Sequence, residues 1–226
     1  MEITATQILT GFLLTAAAGL STGIGSCIAF FAKRSDTRFL SCALGFSGGV
    51  MIYISLVELL AGSQLELSEI FGKRPGSLLG IAAFFGGIAI AMMIDKLVPS
   101  YENPHEVKKV EAMQNAVPAD KLVRSGKLFA LAIAIHNFPE GMAVFTSALT
   151  DPVTGISIAL AIAIHNIPEG ITVSVPIYHA TGSKKKAFGY SFLSGLAEPL
   201  GAVAATGWAN SDGFWRSYSA WRAARS

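Results

Sequence analysis

Six long apolar runs, separated by shorter polar segments, dominate the pattern of hydrophobic and polar residues along this chain. The runs cover residues 8–31, 39–61, 77–99, 127–149, 153–177 and 187–207. Each approaches or exceeds the roughly 20 residues that an α-helix needs to cross the hydrocarbon core of a bilayer. The pattern therefore predicts an all-α, polytopic membrane helix bundle with about six transmembrane helices.

The polar stretches between the runs suggest how the chain is organised. Residues 1–99 are predicted to hold the first three transmembrane helices, and residues 127–207 the last three. Residues 100–126 are polar, punctuated by proline and mixed in charge, which indicates a cytoplasmic loop. Residues 208–226 contain no run long enough to span a bilayer, and they form an atypical C-terminal tail.

Composition and charge agree with a membrane protein. The 226 residues are 52% hydrophobic and only 14% charged, whereas soluble domains average about 25% charged residues. Basic residues cluster between the first two runs, around the 100–126 segment and at 184–186. The positive-inside rule then places the N-terminus outside and the long loop in the cytoplasm. The net charge of +2 reflects this topology and gives no reason to propose a nucleic-acid partner.

Ionisable side chains deep in the predicted spans are the most informative exceptions to the apolar pattern. They are Glu58, His136, Glu140, His165, Glu169 and Glu198, and no Lys or Arg accompanies them there. A charge at the bilayer centre costs about 2.5–3.5 kcal/mol on the insertion scale, so three central glutamates cost on the order of 8–10 kcal/mol. Such carboxylates indicate a cation site. Glu58 is the exception, because it could equally line a pathway or be solvated near the end of its span.

One twelve-residue motif occurs in two consecutive spans. It reads ALAIAIHNFPEG at 130–141 and ALAIAIHNIPEG at 159–170. In the first copy His136, Asn137 and Glu140 share one face of a helix, because residues three and four apart are neighbours on its surface. The motif therefore places an imidazole, an amide and a carboxylate side by side.

The second copy supplies His165, Asn166 and Glu169 from the equivalent face of the next helix. Because the turn between the two spans is short, the helices should pack antiparallel. Counting about 1.5 Å per residue from that turn, Glu140 reaches the depth of His165, and His136 that of Glu169, to within one turn. Two sets of nitrogen and oxygen donors are predicted to meet near the middle of the membrane.

Helix-breaking residues follow the donors in each copy. Pro139 and Pro168 cannot donate a helical hydrogen bond, which predicts kinks in the fourth and fifth transmembrane helices. Interrupted backbone at this depth is tolerated where it lines a cavity, and Gly141 and Gly170 are expected to add room beside it. Glu198, which precedes a proline in the sixth span, would complete the set of donors.

The types of donor narrow the choice of ligand and of function. Imidazole and carboxylate without thiolate favour Zn²⁺, Fe²⁺, Mn²⁺, Co²⁺ or Cd²⁺ over Cu⁺. An intramembrane metalloprotease would carry H-E-x-x-H and a di-iron bundle would carry Glu-x-x-His pairs, and neither pattern occurs in the predicted spans. The sequence therefore predicts a protein that is not an enzyme and that has no prosthetic group.

Paired H-N-x-P-E-G motifs in consecutive helices, followed by the segment SGLAEPLG, resemble the ZIP (Zrt/Irt-like) family of divalent-metal transporters. The resemblance extends from about residue 1 to residue 203. It implies uptake of Zn²⁺, and of other divalent cations such as Fe²⁺, Mn²⁺, Co²⁺ and Cd²⁺, into the cytoplasm by a multi-pass protein of a bacterial inner membrane. A homodimer is included among the expected partners, beside the metal ions and the lipid bilayer.

The same resemblance implies a centre for two metal ions. One site would use His136, Glu140, His165 and Glu169, and the second would use Asn137, Glu140, Asn166, Glu169 and Glu198. Glu140 and Glu169 would then be shared. The family has eight spans, whereas six are expected in this chain. An alternative is therefore a truncated or frameshifted relative that binds zinc but does not transport it.

Overall fold

The computed structural model describes residues 4–31, 37–97 and 119–210, and these residues form helices and no strand. The α-helices are α1 (Ala5–Phe31), α2 (Thr37–Tyr53), α3 (Ala61–Phe71), α4 (Lys73–Leu97), α5 (Ala119–Thr150), α6 (Pro152–Thr181), α7 (Lys184–Gly195) and α8 (Ala197–Asn210). A π-helical segment, Ile54–Leu60, joins α2 to α3. The all-α fold class predicted from the apolar runs is confirmed.

Five helical stretches in the described part of the chain are long and apolar enough to cross a membrane. They are Ala5–Phe30, Leu44–Phe71, Lys73–Met93, Gly126–Thr150 and Pro152–Thr181. Helix α6 is central, since it packs most extensively against α1 and α5, and α5 packs in turn against α8. The contacts of α4 are with α3 and the π-helical segment, and α2 packs on α6. The protein is thus a multi-pass helical membrane bundle built around α1, α5 and α6.

The second predicted span ends later than its apolar run. The run was predicted to stop at residue 61, but helix continues through the π-helical segment and α3 to Phe71. Polar residues such as Gln64 and Glu66 end the apolar pattern, yet both are good helix formers. The helix stops only at Gly72, whose φ of 89° lies in the left-handed region that favours glycine.

The predicted cytoplasmic loop is shorter than its polar composition indicated. Helix α5 begins at Ala119, so residues 119–126 are helical rather than part of a loop. Charged residues such as Lys and Arg interrupt a hydrophobic pattern, but they are good helix formers. The helix therefore begins before the apolar run does. Most of the predicted loop lies in 98–118, and most of the predicted tail in 211–226; both ranges are outside the described residues.

The sixth apolar run forms two helices instead of one. Helix α7 ends at Gly195, α8 begins at Ala197, and the chain turns at Leu196 between them. Pro199 then falls in the first turn of α8, where a missing N–H group costs little because it has no helical partner. The break at Leu196 therefore comes two residues before Glu198, the third predicted carboxylate of the centre.

The interrupted backbone expected at the motif prolines is not observed. Helix α5 is continuous through Pro139, and α6 is continuous through Pro168 and Pro176. Each proline removes one N–H donor, and the surrounding turns keep the helical conformation. Discontinuity near the centre is supplied by the α7–α8 junction and not by α5 or α6.

A one-residue turn makes α5 and α6 antiparallel neighbours, as the short connection predicted. Asp151 caps α6, since its Oδ2 accepts hydrogen bonds from the Thr154 N–H at 2.9 Å and the Thr154 hydroxyl at 2.6 Å. These donations, the hydroxyl first, hold the pKa of the exposed Asp151 carboxyl below its usual range. Beyond the cap, Gly155 lies directly against Ala148 and keeps the two helices in close contact.

Candidate metal centre

The histidine and glutamate of each motif copy lie together on one helix face, one turn apart. On α5 the His136 Nε2 atom is 3.1 Å from Glu140 Oε1. On α6 the His165 Nε2 atom is 3.1 Å from Glu169 Oε1. Each helix therefore presents one imidazole nitrogen and one carboxylate oxygen as a pair.

The two pairs face each other across the α5–α6 interface. His136 Nε2 is 3.8 Å from Glu169 Oε1, and His165 Nε2 is 4.0 Å from Glu140 Oε1. The centroids of the two imidazole rings are 5.7 Å apart. These are the cross-helix pairs that were predicted by counting residues from the turn between the two spans. Four donor atoms from two helices thus surround one small volume, which we call the four-donor cluster: His136, Glu140, His165 and Glu169.

The asparagines of the motif make contact with carboxylates. Asn166 Nδ2 donates to the Ala18 carbonyl oxygen at 2.9 Å and to Glu198 Oε1. With its amide nitrogen oriented towards Glu169, Asn137 donates to Glu169 Oε2 at 3.3 Å and to the Ile133 carbonyl oxygen at 3.1 Å. Both amides are fully buried. Each asparagine therefore fixes the orientation of a carboxylate, in addition to the ligand role that the sequence predicts for it.

Glu198 joins the centre from the first turn of α8. Its side chain is fully buried, and one of its oxygens accepts the Asn166 hydrogen bond described above. Its second oxygen, Oε2, has no hydrogen-bond partner. The α7–α8 junction thus delivers a third carboxylate to the same buried region as the motif asparagines.

Several buried polar atoms of the centre lack hydrogen-bond partners. They are Glu140 Oε1 and Oε2, His165 Nε2, Asn166 Oδ1 and Glu198 Oε2. Buried polar groups without partners are rare because each one costs desolvation free energy. All five atoms carry lone pairs that a cation can accept, and ion pairs with Lys or Arg do not occur at these glutamates within the described residues. This chemistry fits a divalent cation.

The motif glycines are points of close approach between helices. A Cβ atom on Gly141 would collide with the backbone of Glu198, and one on Gly170 would collide with the Thr22 carbonyl oxygen. The opposing glycines behave in the same way, since a Cβ on Gly201 would meet the Phe138 carbonyl and one on Gly25 would meet the Ile167 carbonyl. The expectation that Gly141 and Gly170 add room is wrong, because neighbouring backbones fill the space.

Access to the four-donor cluster is uneven. The side chain of His136 is 50% exposed, whereas those of His165, Glu140 and Glu169 are between 8% and 14% exposed. His136 is therefore the donor that the fold covers least, and the other three donors are largely buried.

Sequence reasoning missed Ser47 on α2. This serine is buried, and its Oγ lies 2.5 Å from Nδ1 of His165. It belongs to no motif and occurs in an apolar helix where a serine carries no chemical signal. Its partner is 118 residues away along the chain, so the sequence pattern alone does not connect them.

Glu58, for which the sequence left two interpretations, lies in the π-helical segment. It is half-buried and lines two cavities, of about 370 Å³ and about 590 Å³. The smaller cavity is also lined by Ser157 of α6, about two helical turns from His165. The larger one extends to the α5–α6 turn at Asp151. Glu58 therefore lines cavities on the same side of the bundle as the α5–α6 turn.

Comparison with known proteins agrees with the motif resemblance. The family model described as ZIP Zinc transporter matches residues 96–221, a range that includes both motif copies and Glu198. A zinc transporter ZupT of Akkermansia muciniphila is 59% identical over 209 residues, which make up 91% of this chain and 77% of that protein. Those of Streptococcus mutans and Clostridium perfringens are 60% and 54% identical, cover 89% and 87% of this chain, and are themselves covered over 75% and 74% of their lengths.

Proposed function

Because this chain belongs to the ZIP zinc transporter family, we propose that it carries Zn²⁺ across a bacterial inner membrane into the cytoplasm. The four-donor cluster is the observation that supports this function most strongly. It offers two imidazole nitrogens and two carboxylate oxygens within one small volume, and this donor set suits Zn²⁺. The three relatives quoted above are named as transporters, which supports transport rather than enzyme activity.

The electrostatics of the centre suit a transported ion. Glu140, Glu169 and Glu198 bring three carboxylates to a region where, among the described residues, they have no Lys or Arg partner. A divalent cation offsets the cost of placing such groups at this depth. Since the side chain of His136 is half exposed, the ion would not be enclosed as it would be in a structural zinc site. Mixed, partly open coordination allows the ion to leave again.

Zinc flux through reconstituted vesicles is the direct test of this function. Proteoliposomes that contain the full chain and a trapped fluorescent zinc indicator are expected to show saturable zinc influx. Protein-free vesicles from the same lipid supply the background. Influx no faster than this background, with protein confirmed to be folded and inserted, would contradict the proposed function. The non-transporting alternative receives no support from the relatives, which are named as transporters.

The second metal site of the proposed two-metal centre rests on Glu198 and the two asparagines. We expect Glu198→Gln to lower the zinc stoichiometry of the purified protein from about two to about one, because the four-donor cluster keeps its charge. Isothermal titration calorimetry in detergent would measure this number. A variant that still binds two ions, or a wild-type protein that binds one, would contradict a second site at Glu198.

Further features of the proposal follow from the resemblance and from charge. By the positive-inside rule, the basic loops support an N-terminus in the periplasm and a 100–126 segment in the cytoplasm. Fe²⁺, Mn²⁺, Co²⁺ and Cd²⁺ share the preference for imidazole and carboxylate and are proposed as additional substrates. A homodimer remains a prediction, which cross-linking in native membranes would test.

A further inference from the structure

The two ring nitrogens of His165 have different surroundings. Nε2 points into the four-donor cluster, 3.1 Å from Glu169 Oε1, and has no hydrogen-bond partner. Nδ1 points away from the cluster and lies 2.5 Å from the hydroxyl oxygen of Ser47. The Ser47 side chain is buried between α2 and α6, so water does not compete for this contact. The ring therefore has a hydrogen-bonding neighbour at Nδ1, and its Nε2 is left without a hydrogen-bond partner.

An imidazole binds a metal ion through the lone pair of one nitrogen while the other nitrogen carries the proton. The partner of that N–H group fixes both the tautomer and the orientation of the ring, and its loss typically weakens metal binding by about 10–100-fold. We propose that Ser47 is a positioning residue of the metal centre: its Oγ accepts the Nδ1–H of His165 and holds Nε2 towards the transported ion. This inference rests on the proposed function of the four-donor cluster.

The equivalent histidine of the first copy has no such support. His136 faces Glu140 through Nε2, and in the part of the chain that the structure describes its Nδ1 has no hydrogen-bond partner. Its side chain is also half exposed, whereas that of His165 is mostly buried. Two motif copies of nearly identical sequence thus supply ligands of different kinds. His165 is supported at its second ring nitrogen, and His136 is not.

The same contact connects α2 to the centre. Helix α2 packs on α6 and continues into the π-helical segment that carries Glu58. Among the described residues, no other side-chain hydrogen bond joins α2 to another helix. A displacement of α2 therefore changes the support of one ligand directly, without acting through α5.

Zinc affinity of Ser47→Ala tests this role. By calorimetry on the purified protein, we expect the dissociation constant for Zn²⁺ to rise by about 10-fold or more. In proteoliposomes KM should rise by a similar factor, whereas the maximal rate should stay within about twofold. Ser26→Ala is a matched control, since Ser26 is equally buried and its hydroxyl lies 2.6 Å from that of Ser174 on α6 instead of at the four-donor cluster.

Two further comparisons separate positioning from packing. Ser47→Thr and Ser47→Val add similar bulk, but only threonine keeps the hydroxyl, so threonine should retain zinc affinity and valine should lose it. This pair also replaces Ser47→Ala if that variant does not fold. In a His165→Ala background, Ser47→Ala should have no additional effect on affinity, because Ser47 acts through the ring that has been removed.

Several results would overturn the proposal. These are wild-type affinity in Ser47→Ala, the same loss in Ser26→Ala, equal affinities of the threonine and valine variants, or an undiminished loss without His165. Calorimetry distinguishes this failure from failure of the proposed transport. Zinc binding that depends on Ser47 in a protein without flux would uphold the positioning role and contradict transport. Absence of zinc binding by the wild-type protein would contradict both.

Discussion

Replacing either Glu140 or Glu169 by glutamine is expected to reduce zinc uptake by about 100-fold or more. Each substitution removes a negative charge next to the position between the two imidazole rings, and nearly preserves the size of the side chain. At an effective dielectric constant of about 20, two unit charges 4 Å apart attract by about 4 kcal/mol. About 1.4 kcal/mol corresponds to a tenfold change, so even partial compensation leaves a loss of this order.

The two glutamates should be nearly equivalent in this experiment. Glu140 and Glu169 each lie 3.1 Å from the histidine of their own helix and close to 4 Å from that of the other. Zinc affinity should therefore fall to a similar extent in both variants, as measured by calorimetry beside the flux assay. Asp151→Asn is a suitable control, since it removes a carboxylate at the α5–α6 turn while asparagine remains an effective helix cap. Wild-type uptake by either glutamine variant would refute the four-donor cluster.

Gly141→Ala is expected to destabilise the folded protein by about 1–3 kcal/mol, the usual cost of adding a carbon to a filled site. The added Cβ would collide with the backbone of Glu198, so α5 and α8 must separate. Because Glu198 stands at the contact itself, its carboxylate should shift and zinc binding at the second site should weaken together with stability. Thermal unfolding in detergent and calorimetric titration of the same sample would measure both effects.

Gly86→Ala in α4 is the matched control, and it should change stability in the opposite direction. A Cβ on Gly86 would meet no atom within 4 Å, so the substitution adds no clash. Replacing a glycine inside a helix by alanine then stabilises by about 0.5–1 kcal/mol, because alanine loses less conformational freedom on folding. If both glycine variants moved the unfolding temperature in the same direction, close approach at Gly141 would not be the reason for that glycine.

The convergence of the metal donors could be predicted from sequence because it depends on two regular quantities. One is the helical period, which places His136 and Glu140 on one face, and the other is the length of the turn, which sets the depth of the second copy. The structure brings together the four residues of the predicted first site. Whether each of them binds the ion stays a prediction, to be tested by the glutamine variants.

Helix ends and helix breaks were harder to predict from the apolar pattern. Hydropathy indicates whether a segment lies in an apolar environment, and it does not show where a helix ends. The predicted second span therefore stopped at residue 61, although the helix continues to Phe71. A proline lacks the backbone N–H group that donates a helical hydrogen bond. The long helices α5 and α6, packed on their neighbours, tolerate this loss at Pro139 and Pro168. The break between α7 and α8 falls at Leu196, an apolar residue that does not itself indicate the end of a helix.

Two glycine pairs with the spacing Gly-x-x-x-Gly, which permits close helix packing, behave differently in the structure. Gly19 lies in close contact with the backbone of α7, and Gly23 meets side chains of the same helix at ordinary van der Waals distance. A Cβ on Gly45 or Gly49 would meet no atom within 4 Å, although the spacing of this pair is the same. Local sequence shows that a helix permits close approach, but which helix arrives depends on the whole fold. The Ser47–His165 contact was missed for the same reason.

The one-residue turn at Asp151 would also be the pivot of any opening between α5 and α6. Glu140 and His165 lie eleven and fourteen residues from it along α5 and α6, which corresponds to arms of about 16–21 Å. An opening of only about 3° between the two helices would separate their donors by about 1 Å, roughly half the length of a zinc–ligand bond. Each helix would keep its own nitrogen and oxygen, so the denticity of the protein would fall from four to two. Release of the ion by this opening would need only a small change of angle, with the side chains of each helix unchanged.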